Sequence, residues 1–164
     1  MPVSESRYRR VLSHLASGVA LVTARRPDGG PCGLTATSVC SVSLEPPLVL
    51  AAIDRDASTH AGIEASESYA VNLLGREQEE LAVRFARDDR DKFRDLAVTG
   101  AVTGAPVLAD ALAHLDCTVV RRVPAGDHTL YIGRVEAADV RPGAGPPLLY
   151  HRGRYRALAE TETT

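Results

Sequence analysis

The sequence predicts a mainly β protein, an antiparallel barrel closed or nearly closed, with helices at its periphery. Three observations carry that expectation. Strand-like segments outnumber helical ones, the turns between them are short, and strands and helices do not alternate regularly; a doubly wound α/β sheet is the weaker alternative. With 164 residues, 45% of them hydrophobic and 24% charged, the chain fits one domain spanning 1–164. Its core is expected over about residues 8–158, with short frayed termini that include 160–164.

Tyr8, Val11, Leu12 and Leu15 recur at i, i+3, i+4 and i+7, opposite Arg7, Arg9, Arg10 and Ser13, so an amphipathic helix should open the domain. Gly18 is placed to end it. Residues 19–24 read as a strand, and Pro27, Asp28, Gly29 and Gly30 supply the turn of a hairpin whose second strand starts at Cys32. The stretch 34–44 is rich in Thr, Val and Ser, suited to a pleated surface but too polar to be buried on both faces. Glu45, Pro46 and Pro47 interrupt the ladder, and the apolar run 48–53 reads as a buried strand followed by a loop at 54–58.

Thr59 is placed to cap a short helix over 60–66, residues 69–74 read as a strand, and 77–87 as a helix with Leu81, Ala82 and Phe85 on one face. From Leu96 the pattern is β again, with Leu115, Cys117 and Val119 alternating and a turn at 124–127. Leu130 and Ile132 share one parity, Val135 and Ala137 the other, which predicts a bulge near Gly133. A strand pair at 148–150 and 155–158, separated by Arg152 and Gly153, completes the fold.

A formal net charge of -2 gives no electrostatic pull toward nucleic acid or an anionic membrane, so any anionic ligand must be held by local groups. The longest apolar run is far short of a membrane span, no signal peptide is apparent, and the cytoplasm is expected. Cys32, Cys40 and Cys117 form no CxxC pair, which disfavours disulfides and structural zinc. The five histidines lack metal-ligand spacing, so no metal is expected. Dinucleotide, P-loop, nucleophile-elbow and zinc-protease motifs are all absent. Chemistry led by a cofactor remains open, because hydride transfer needs binding, stacking and exclusion of water rather than a nucleophile.

GVALVTA (18–24), GLTATSVCSVSLEPPLVL (33–50), DRDASTH (54–60), AVRFARDDRDKF (82–93), AGDHTLYIGRV (125–135) and the Tyr-His-x-Gly-x-Tyr stretch at 150–155 occur in order. Together they resemble the short-chain flavin reductases that partner two-component flavin-dependent monooxygenases. The resemblance implies an FMN-binding split barrel, a homodimer, FMN or FAD as flavin, NADH or NADPH as donor, and reduced flavin supplied to a monooxygenase. A non-catalytic split-barrel protein that binds flavin or haem is the alternative.

Carried over by position, the resemblance places Thr35, Ala36, Thr37 and Ser38 along the isoalloxazine and ribityl chain, where small hydroxyl residues permit close backbone approach. Asp54, Ser58 and Thr59 fall in a loop that can hold a phosphate at a helix start; read without the resemblance, they form an ordinary cap. Lys92, in preference to Arg84, is the expected phosphate counter-charge, and Phe85 packs near the flavin. His128 is the expected residue at the hydride site. Tyr150, His151 and Tyr155 are expected to wall the nicotinamide side.

Overall fold

The computed structural model describes residues 3–87 and 91–159, so the expected frayed tail at 160–164 lies outside it. α1 (Glu5–Leu12) starts where the Ser4 hydroxyl accepts from the Arg7 amide, and Ser13 closes it. Gly18 therefore does not end the helix; it belongs to the short β1 (Ser17–Gly18). The apolar stripe is present but faces outward, with Val11 62% and Leu15 64% exposed.

β2 (Ala20–Arg25) is buried along nearly its whole length and pairs with β3 (Pro31–Ala36) across the expected turn. The polar stretch after Leu34 is not one strand. It breaks at Thr37 and Ser38, and β4 (Val39–Leu44) follows, mostly exposed. Pro47 opens β5 (Pro47–Asp54), a position where its missing N–H does least harm. Instead of burying both faces, β5 alternates, with Val49, Ala51 and Ile53 inward.

α2 (Ser58–Ser66) leads to β6 (Ser68–Leu73), and a 3-10 turn at Arg76–Gln78 leads to α3 (Glu79–Phe85). β7 (Val98–Gly100) and β8 (Pro106–Leu108) form a small hairpin, β9 (Ala113–Ala125) and β10 (His128–Val140) a long one, and β11 (Leu148–His151) and β12 (Arg154–Ala157) a third. Buried Asn72 donates to Thr23 Oγ1 at 3.1 Å and accepts from the Leu108 amide at 2.8 Å, fastening β8 to the face of the sheet opposite the Tyr69 core.

The main sheet runs β3-β2-β6-β9-β10-β5-β4, entirely antiparallel. β3 and β4 stand at its opposite edges, yet only Thr37 and Ser38 separate them. Three Cα steps of ~3.8 Å keep Ala36 within about 11 Å of Val39, so the sheet must curl until its edges approach. The barrel is thus nearly closed, with its hydrogen-bond ring open between β3 and β4.

A β9/β10 register shift does fall between Ile132 and Gly133, but its extra residue is Val120 of β9. β10 keeps one inward parity through Thr129, Tyr131 and Gly133, so the expected switch of face near Gly133 does not occur; the residue skipped on β10 is Glu136. A Cβ at Gly133 would stand 2.6 Å from Tyr69 Oη and 2.9 Å from Cys117 Cβ, so glycine lets the core tyrosine press against β10. Tyr69 and Tyr131 centre the main core, while Leu21, Leu74, Phe85 and Leu148 build a second cluster beneath α3. Among the described residues no helix is long and apolar enough to cross a membrane.

Candidate functional site

The ends of β3, β5 and α3, the start of α2 and the segment carrying Lys92 converge on a cleft of about 470 Å³. Six residues singled out from sequence line it together: Thr35, Asp54, Ser58, Thr59, Phe85 and Lys92.

The α2 side is built by an Asx turn in which Asp54 Oδ1 accepts from the Asp56 amide at 2.9 Å. The chain then enters the helix at Ala57, two residues before the expected cap, and alanine has no oxygen to offer the first amides. Thr59 falls inside the first turn, fully buried, and its Oγ1 has no hydrogen-bond partner among the described residues. An unpaired buried hydroxyl costs about 1–3 kcal/mol. An orphan hydroxyl beside the positive end of a helix lacking a side-chain cap is a cradle for an anion.

The opposite wall carries the positive charge. Lys92 is buried, and its Nζ donates to Gly33 O at 3.1 Å and Phe85 O at 3.3 Å, which holds the ammonium at the inner wall. Gly33 permits this: a Cβ there would stand 3.0 Å from both Phe85 Cε1 and Thr23 Cγ2. Phe85 meets Phe93 edge-on at 4.9 Å and serves as cleft floor and core at once. Arg84 points elsewhere, donating to Arg94 O, and does not line this cleft.

Thr35 Oγ1 donates to Ala82 O at 2.6 Å, tying β3 to α3 and leaving its lone pairs available as acceptors. Ala36 is buried, Thr37 is exposed, and Ser38 Oγ donates to Ala52 O at 2.9 Å, so the segment beyond Thr35 is pinned across to β5.

His128 opens β10 directly opposite Asp54, so the two side chains leave the sheet on one face. Its Nδ1 lies 2.6 Å from Asp127 Oδ1, and that bond holds the Asp127 carboxyl below the usual carboxylate range. An ionised carboxylate only accepts, so Nδ1 is the donor and Nε2 is left for other partners.

Tyr150, His151 and Tyr155 stand outside this cleft, on the β11/β12 hairpin beside β1. Tyr150 and Tyr155 stack edge-on at 5.3 Å, Tyr155 packs on the second core cluster, and the His151 ring lies 6.4 Å from that of His14. Arg87 and Asp56 line the cleft without having been singled out. Arg87 sits in a run of charges with no periodicity to separate it from its solvated neighbours, while Asp56 was hidden in a loop.

A family model, the flavin reductase like domain, matches residues 12–159. The chain belongs to this family. It is 40% identical over 154 residues, covering 94% of this chain and 81% of the relative, to the reductase component of 4-nitrophenol 4-monooxygenase/4-nitrocatechol 2-monooxygenase from Rhodococcus opacus. It is 43% identical over 152 residues, 90% of this chain and 79% of the relative, to an NADH:FMN oxidoreductase from Rhodococcus erythropolis. Among solved structures, the NADH:FAD oxidoreductase of Streptomyces globisporus C-1027, in complex with NAD and FAD fragments, superposes with a TM-score of 0.89. That match is 36% identical and covers 97% of this chain and 95% of the other. In this flavin reductase-like protein the orphan Thr59 hydroxyl, the uncapped α2 amides and the Lys92 ammonium together fit the phosphate of a flavin nucleotide.

Proposed function

We propose that this chain is an NAD(P)H:flavin oxidoreductase that passes a hydride from NADH or NADPH to FMN or FAD and supplies reduced flavin to a partner monooxygenase. The observation that carries this reading is the cleft itself, lined by a buried hydroxyl without a partner among the described residues, a helix start without a side-chain cap and a buried ammonium. Flavin, when bound, supplies the electron-accepting ring. The chain's own residues bind, orient and exclude water.

Ser58, Thr59 and the α2 amides hold the phosphate, with Lys92 balancing its charge from across the cleft. Asp54 shapes the loop through its bond to the Asp56 amide. Thr35, Ala36, Thr37 and Ser38 lie along the ring and its polyol chain, and Phe85 closes the floor against water. His128, held through Nδ1 by Asp127, presents Nε2 to the nicotinamide. No side chain has to become a nucleophile or to take a proton in the transfer itself.

The working unit is a homodimer of single flavin reductase-like domains in the cytoplasm, where the reduced nicotinamide pool resides. Two surfaces support the dimer. The outward apolar stripe of α1 and the edge strand β4, with Leu44 92% exposed, leave apolar area that a second copy buries. Tyr150, His151 and Tyr155, on the β11/β12 hairpin outside this chain's cleft, keep a nicotinamide-side role in this reading only where a second copy supplies them.

Mixing the purified protein with NADH or NADPH and either FMN or FAD, and following nicotinamide absorbance, tests the activity. Flavin-dependent oxidation is expected; flavin binding without turnover by either donor would overturn it. Light scattering tests the dimer, with twice the chain mass of 17.5 kDa expected.

A further inference from the structure

His128 stands at the tip of a long hairpin, next to the two-residue turn of Gly126, at φ +64°, and Asp127. A hairpin tip of this kind is held by few ladder bonds and is ordinarily among the first parts of a sheet to open. Here it is fastened from outside the hairpin. The Arg55 amide donates to Asp127 O at 3.0 Å, the Arg55 guanidinium donates to Gly126 O at 2.6 Å, and His60 Nε2 lies 3.0 Å from Thr129 Oγ1. Arg55 belongs to the loop between Asp54 and α2, and His60 to the first turn of α2, so these bonds run from the element that lines the cleft to the residues on either side of His128.

The second anchor is itself braced. The His60 ring meets Tyr131 edge-on at 5.6 Å, and Tyr131 Oη donates to Glu64 Oε1 at 2.6 Å. Arg122 of β9 bridges Glu64 and Glu67, at 3.2 Å to each. The network thus joins α2, β9 and β10 just behind the turn.

We propose that Arg55 and His60 are positioning residues that clamp the His128 turn to the cleft-lining loop, making anion cradle and His128 one rigid unit. The inference rests on the reading that His128 acts at the nicotinamide. Positioning matters here because a displacement of about 1 Å can cost a hundredfold in rate.

The test uses the full-length protein with Arg55→Met, which keeps the stem and its backbone bond, His60→Ala, their combination, and His60→Gln as the conservative variant. Three quantities are read: amide exchange at 126–129, flavin affinity, and stopped-flow reduction of pre-bound flavin against nicotinamide concentration. In the combined variant, exchange at the turn is expected to quicken, and the reduction rate to fall or the nicotinamide KM to rise by roughly tenfold to a hundredfold. Flavin affinity should stay within about twofold, and His60→Gln should recover most of the loss due to His60→Ala, because the amide replaces Nε2 toward Thr129. A purely structural role would lower stability without this split and without rescue.

Unchanged reduction kinetics in the combined variant overturn the clamp, as does a loss confined to flavin affinity. The same kinetics on His128→Ala show which part failed. If His128→Ala is also silent, the reading of that histidine falls; if His128→Ala is slow, only the clamp falls.

Discussion

Replacing Thr59 by valine should make the flavin-free protein more stable and the flavin complex weaker. The residue is fully buried and its hydroxyl has no partner among the described residues, so the folded chain carries the desolvation cost of that group without return. Such a group costs about 1–3 kcal/mol, and valine keeps the shape while removing it. A gain near the lower end, about 1 kcal/mol, corresponds to a rise of roughly 2–4 °C in Tm for a chain of this size. On the proposed reading the same hydroxyl donates to a phosphate oxygen of the bound flavin, and a hydrogen bond to a charged group contributes about 1.5–3 kcal/mol. Its loss should raise the flavin Kd roughly tenfold to a hundredfold. Thermal melts without flavin, paired with fluorescence titration of FMN and FAD, read the two effects separately, and Thr59→Ser should retain the affinity. A lower Tm for flavin-free Thr59→Val, or an unchanged flavin Kd, would refute the reasoning.

Three further outcomes follow from the geometry. Lys92→Met should raise the flavin KM by about tenfold to a hundredfold and spare the saturated rate, whereas His128→Ala should slow hydride transfer or raise the nicotinamide KM with flavin affinity little changed; stopped-flow reduction of bound flavin separates the two. Gly62→Ala would set a Cβ 2.4 Å from Cys32 Sγ, so it should destabilise the fold by roughly 1–3 kcal/mol, and Cys32→Ala in the same chain should recover part of the urea midpoint. Burial, with Asp116 and Glu136 adding to it, pushes the Cys117 thiol up to about 12, and burial also raises Cys32. A raised thiol pKa withholds the reactive thiolate until the pH climbs past it, so at pH 8 a thiol reagent should label the exposed Cys40 quickly and all three cysteines only after unfolding; rapid labelling of native Cys117 would contradict this.

What was legible in the sequence was whatever depends on neighbours a few residues apart. The β9/β10 turn followed from Gly126 and Asp127, because turn chemistry is local, whereas the parity of Leu130 and Ile132 misled, since Thr129, Tyr131 and Gly133 are the residues that β10 turns inward. The convergence of Thr35, Asp54, Ser58, Thr59, Phe85 and Lys92 is not local, and it was foreseen through an ordered set of motifs rather than through periodicity. Even so, capping propensity misplaced the start of α2. Thr59 looks like a cap because threonine commonly caps helices, but the Asp54 Asx turn delivers the chain at Ala57, and the shift is what leaves the hydroxyl unpaired. The same limit explains α1. Its heptad-like spacing identifies an apolar stripe, and spacing cannot say whether that stripe meets its own core or another molecule. In this fold the core is already filled by Tyr69, Tyr131 and the strands around them, so the stripe remains outside. The two features least explained by the chain alone are therefore an unpaired hydroxyl in the cleft and an apolar stripe on the first helix. In the function proposed above, each answers to something outside a single chain: the first to the flavin phosphate, the second to a second copy.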